Sequence, residues 1–141
     1  MRLKPTLEFA DADIAAEACR RKALELGAPV TIAVVDEAGQ LLSLQRLDGA
    51  RGYSVDLAHR KARTAAAIGL PTSVLEQRVR EGLMSPGPDV LALGGGLPIL
   101  HEGQCAGAIG VSGSTSDVDD QVAAAGLAAV QAAARASGAT A

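Results

Sequence analysis

Two hydrophobic periods alternate along this chain, one between three and four residues and one of two. From Thr6 to Gly27, Ile14, Ala18 and Leu24 form an apolar stripe, while Arg20, Arg21 and Glu25 form a polar face. That spacing predicts an amphipathic helix. Thr6 is placed to cap it, Glu8 to meet the positive end of its dipole, and Gly27 to end it in a left-handed conformation. The run Val30 to Asp36 is β-branched and predicts a strand. Glu37-Ala38-Gly39 supplies a turn, and Gln40 to Leu47 the return strand of a hairpin. The first strand is apolar on both faces, which predicts cover on both. Helices would supply one cover, and a partner subunit or a ligand pocket the other.

Tyr53 to Ile68 predicts a second helix, closed by Gly69 and Pro71. Thr72 caps a short third helix through about Glu81. Two glycines and two prolines make residues 82–88 a loop. A second hairpin follows, up through Leu97–His101, around Glu102-Gly103, and back through Gln104–Ser112. Leu91-Ala92-Leu93 is predicted as a fifth strand. A last helix starts near Ser116 or Asp117 and runs through Ala136. Helix, hairpin, two helices, hairpin, helix is an α+β order, and hairpins imply antiparallel pairing. The expected architecture is a single antiparallel five-stranded sheet flanked by helices.

The 141 residues suggest one domain over 1–141, with a core of about 5–136 and a frayed tail at 137–141. Only Phe9 and Tyr53 are aromatic, so base-stacking platforms for nucleic acid are excluded. Thirteen basic against 16 acidic residues give a net charge of −3, with no basic excess for a phosphate backbone. No run is long enough to span a membrane. Met1-Arg2-Leu3-Lys4-Pro5 does not open a secretory leader, and Cys19 and Cys105 form no framework. A cytoplasmic protein with free thiols is the expectation.

The second helix carries an anomaly. At about 100° per residue, Ser54, Leu57, Lys61, Thr64, Ala65 and Ile68 share one face. Leu57 and Ile68 mark that face as inward, which places Lys61 and Thr64 in an apolar stripe. A lysine there either serves an anion or cofactor, pairs with a structural Asp, or snorkels out. His59 falls on the opposite face, exposed or at a subunit interface. His101 shares the face of Leu97 and Ile99 near a turn, as a surface histidine would. Without HxxxH or CxxC spacing no metal site is expected.

Arg46 ends the return strand, where it either holds a carboxylate or phosphate or pairs with Asp48 or Asp36. Gly94-Gly95-Gly96 and Gly107, Gly110 and Gly113 permit close backbone approach, to another element or to a flat ligand. Ser112 has no nucleophile elbow around it.

Taken together, Pro29–Asp36, Gly39, Arg46–Ala50, Lys61–Ala65, Gly95–Ile99, Gly107–Gly113, Asp119 and Ala125-Gly126 resemble the GlcG/HbpS family, also called the heme-degrading domain family. The resemblance covers about residues 5–136. It implies a profilin-like sheet flanked by helices and a homo-oligomer, often an octamer. It implies heme or corrinoid association in some members. One branch stands beside cobalamin adenosyltransferases, and another is encoded with glycolate oxidation genes. Arg46, Lys61, Thr64, Gly95, Gly96 and Ser112 carry over as ligand-binding residues. His59 and His101 carry over no axial-ligand role.

Two functions compete. The first is a small-ligand-binding homo-oligomer holding heme or a related tetrapyrrole, with Arg46 and Lys61 on its propionates and glycine backbone against its face. The second is a cofactor-free lyase or isomerase on a small carboxylated metabolite. There Arg46 would anchor the small anionic ligand and Lys61 would be the base, with Asp36 or Asp119 as its partner. A scaffold without a site is the bland third option.

Overall fold

Two antiparallel hairpins meet along their inner strands. The computed structural model describes residues 1–138. In chain order the elements are α1 (Phe9–Leu26), β1 (Thr31–Asp36), β2 (Leu41–Arg46), α2 (Tyr53–Ile68), α3 (Thr72–Arg80), β3 (Gly96–His101), β4 (Gln104–Ser112) and α4 (Ser116–Gly138). The sheet order is β2-β1-β4-β3, antiparallel throughout. In register, Thr31 lies opposite Arg46 on one side and Ser112 on the other.

The sheet has four strands, not five. The amide of Leu91 donates to the Thr64 hydroxyl at 3.1 Å instead of joining a ladder. The 91–95 segment is therefore a strap over the end of the sheet. The tail expected to fray at 137–141 is helical at Ser137 and Gly138, and its remainder, 139–141, lies outside the described residues.

Strand alternation splits β1 between two cores. Ile32 and Val34 face α1 and α4 and pack with Ile109 and Val111 of β4. Ala33 and Val35 face α2 and pack on Ala58, Ala62, Ala65 and Ala66. Helices thus cover both faces of the strand. The central strands are small-sided where α2 crosses them: a side chain at Gly110 would collide with the Ala58 carbonyl and the Ala62 amide. Gly110 lets the helix backbone lie directly on the sheet.

The first helix differs from expectation at its start and on its face. It begins at Phe9, because the Leu7 amide is spent on the Ala106 carbonyl at 3.0 Å. Glu8 and Asp11 cap it reciprocally, with the Glu8 amide donating to Asp11 Oδ2 at 2.9 Å. Gly27 ends it at φ 63°, as predicted. Its buried face is Ala12, Ala15, Ala16, Cys19 and Ala23, while Ile14 is 37% and Leu24 69% exposed. The cause is close approach to α4, where a Cβ on Gly126 would meet Cys19 Sγ and the Ala15 carbonyl. Only a stripe of small residues fits that distance. Likewise, Thr72 is the first residue of α3 and not its cap, because its hydroxyl holds β3 instead.

Candidate functional site

The inward face of α2 meets the N-terminus of α4 at Lys61. Lys61 is 3% and Asp119 2% exposed. The Lys61 ammonium donates to Asp119 Oδ2 at 3.1 Å and to the Val111 carbonyl at 2.9 Å. The other carboxylate oxygen, Oδ1, accepts the Ser114 amide at 3.1 Å. Burial pushes the Asp119 carboxyl above its ordinary value, and the Lys61 charge and the Lys61, Ser114 and Gly113 hydrogen bonds pull it back. Gly95, at φ 119°, closes the arrangement. A Cβ there would press on the Val111 carbonyl and stand 3.0 Å from both Asp119 Cβ and Lys61 Nζ. One lysine on α2 thus ties β4 to α4, with the 91–95 strap packed against it at Gly95.

Around this pair, three polar side chains hold backbone amides. The Gly95 amide donates to Asp120 Oδ1 at 2.7 Å, and the Gly96 amide to Thr72 Oγ1 at 2.8 Å. Burial raises the Asp120 carboxyl above its ordinary value, against the Gly95 hydrogen bond. Thr64 accepts the Leu91 amide. Ser112 is buried beside Val111, whose amide donates to the Gly95 carbonyl at 2.8 Å. The structure therefore brings Lys61, Asp119, Thr64, Gly95, Gly96 and Ser112 into one neighbourhood. Of the readings open for Lys61, pairing with an Asp describes its contacts. As a general base it would need a neutral amine with its lone pair turned to an open approach, whereas its nitrogen donates to Asp119 and the Val111 carbonyl inside the protein.

Two predicted residues lie elsewhere. Asp36 sits at the far end of β1, where its Oδ1 accepts the Ala38 and Gln40 amides, both at 2.9 Å. It shapes the β1–β2 turn and stands apart from Lys61. Arg46 is exposed, and its Nε donates to the Ala50 carbonyl at 3.0 Å, bracing the loop into α2. It pairs with neither Asp48 nor Asp36 among the described residues. Arg46 is thus a strand-end side chain and does not reach the Lys61 pair.

A different region is concave and apolar. A cleft of about 450 Å³ opens between the start of α1, the second half of α4 and the β3–β4 turn. Leu7, Ile14, Ile99, Leu100, Ala106 and Val130 form its walls, and His101 stands among its lining residues. Neither Lys61 nor Arg46 lines it. The sequence held a signal for this cleft in the shared face of His101 and Ile99. What hid it was Ile14, which periodicity assigns to the core and the fold assigns to the cleft wall. His59 is half-buried, not exposed, and its Nε2 is enclosed without a partner among the described residues. Among the described residues no group of three or more His, Cys, Asp or Glu could hold a metal ion. No described helix is long and apolar enough to cross a membrane.

The order of elements and the glycine-packed sheet define an α+β protein of the kind anticipated from the motifs. Residues 7–128 match the family model described as haem degrading protein HbpS-like, and the chain belongs to that family. An uncharacterised 15.0 kDa protein from the dhaT–dhaS intergenic region of Citrobacter freundii is 37% identical over 120 residues, which is 81% of this chain and 84% of that one. HbpS of Streptomyces reticuli, solved as a double mutant, superposes with a TM-score of 0.83 at 38% identity, covering 91% of this chain and 89% of that one. A PduOC:heme complex superposes with a TM-score of 0.82 at 30% identity, covering 88% and 94%.

Proposed function

We propose that this chain is a cytoplasmic, homo-oligomeric protein that binds heme or a related tetrapyrrole in the cleft between α1, α4 and the β3–β4 turn. The observation that carries the reading is the lining of that cleft: apolar walls with an imidazole among them. A flat macrocycle needs apolar walls, and an iron at its centre takes an imidazole ligand. His101 is the residue that would supply it. No lysine or arginine lines the cleft, so the propionates of such a ligand would point to solvent. This replaces Arg46 and Lys61 as their expected partners. The structure of a relative with heme supports the ligand class. Exposed Leu41 and Leu44 on the edge strand β2 support assembly with further copies.

Titration of the purified chain with hemin tests the reading. A saturable Soret shift is expected, weakened by Ile14→Glu in the wall and altered in position by His101→Ala. A titration without saturation overturns it. Sedimentation velocity tests the assembly, and a monomer at all concentrations overturns that part.

A further inference from the structure

The last helix runs on past the core that holds it. The buried residues of α4 are Asp119, Val122, Ala123, Gly126 and Val130, yet the helix continues to Gly138, about two turns further. Over residues 131–138 only Ala133 is partly buried, and the rest are exposed. Alanine at 132, 133, 134 and 136 keeps this segment helical, since no residue has a higher helix propensity. Propensity alone is a weak hold. Tertiary packing supplies most of the stability of a helix in a protein, and a helix end without it opens at low cost.

One side of the segment is turned to the apolar cleft. Val130, Ala133, Ala134 and Ser137 recur at spacings of three and four, share a helix face, and all line that cleft. Ala132, Arg135 and Ala136 do not line it. The opposite wall is of another kind. Leu7, Ile99 and Ala106 also line the cleft, but they are buried members of the core. The Leu7 amide is moreover fixed on the Ala106 carbonyl at 3.0 Å. The cleft therefore has one wall anchored in the core and one made by a helix end with no buried residue of its own. An apolar occupant would give that helix end the packed face it lacks.

We propose that residues 131–138 are a lid on the apolar cleft, which opens separately from the rest of α4 and is held closed by the cleft's occupant. The identity of the occupant rests on the heme reading, whereas the separate opening does not. Ligand enters and leaves through this helix end while the sheet, α1 and the packed half of α4 stay in place. Binding and helix order are then one equilibrium, because the occupant favours the closed segment and the closed segment retains the occupant.

The test is amide hydrogen exchange of the full chain, free and with hemin, together with release of bound hemin to excess apomyoglobin. In the free chain the amides of 131–138 should exchange roughly tenfold faster or more than those of 122–130, and hemin should slow them. Ala132→Gly/Ala136→Gly weakens the helix end without altering the cleft wall and should speed hemin release roughly fivefold or more. Ala124→Gly/Ala128→Gly, at exposed positions in the packed half of α4, is the matched control and should leave release nearly unchanged. Equal protection along α4 in the free chain overturns the lid. So does saturating hemin that leaves exchange of 131–138 unchanged, or equal release from the two double variants. A chain that takes up no hemin overturns the heme reading, and the closing step with it.

Discussion

The Lys61 ammonium and the Asp119 carboxylate meet 3.1 Å apart across 58 residues of chain, both excluded from solvent. The pair joins the helix that covers one face of the sheet to the helix that covers the other. Removing either member strands a buried charge, and that cost exceeds what the pair contributes relative to an apolar replacement. Lys61→Met and Asp119→Leu should each lower stability by about 3–5 kcal/mol. The double variant should recover at least ~1 kcal/mol of the summed loss. Urea unfolding of the four proteins checks this, and simple additivity would sink it.

Asp120 gives a pH dependence of definite sign. Burial raises its carboxyl in the folded state above the unfolded value near 3.8. The folded protein therefore holds that proton more readily than the unfolded chain. Its contribution to stability improves as pH falls through the window between the two values and is lost as pH rises through it. Asp120→Asn keeps an acceptor for the Gly95 amide and removes the titration. The stability of wild type relative to this variant should decline as pH rises from about 4 through the raised folded-state value. Urea midpoints measured upward from about pH 4 decide it, and a flat or rising difference refutes the assignment.

Gly110 is expected to tolerate no side chain. A Cβ there would meet the Ala58 carbonyl and the Ala62 amide, neither of which can rotate away. Gly110→Ala should cost about 1–3 kcal/mol or more by overpacking. Gly87, with open space around it and no left-handed backbone, is the matched control. Gly87→Ala should leave the thermal midpoint nearly unchanged, and an equal loss in both variants would show that the helix is not seated on Gly110.

The two cysteines should differ sharply in reactivity. Burial pushes the Cys19 thiol up to about 12, and Cys105, half-buried, is raised less. The thiolate is the reactive form, so the native protein should react slowly at Cys105 and not at Cys19. Disulfide-exchange labelling near pH 8, followed by peptide mass mapping, reads this directly. Labelling of Cys19 before unfolding would contradict the packing of α1 on α4.

Local patterns were sufficient for the two hairpins and the four helices, because a strand or helix is recognisable from its own period. The glycine ends of α1 and α2 were legible for the same reason: Gly27 and Gly69 both adopt the left-handed conformation that ends a helix. Lys61 stood out as buried because its neighbours at helical spacing are apolar.

What the chain by itself determined, then, was the kind of each element, the turns between them, and the presence of one lysine inside. The tertiary structure decided which face of each helix turns inward and what the lysine meets. Ile14 and Leu24 are more apolar than Ala15 and Ala16, yet the alanines are buried, because Gly126 brings α4 too close for larger side chains. Hydropathy ranks residues by transfer free energy, whereas closely spaced helices select by volume. Asp36 and Asp119 were equal partners for Lys61 on paper. The sheet separates the first from it and α4 carries the second to it, a choice made by contacts between residues far apart in sequence.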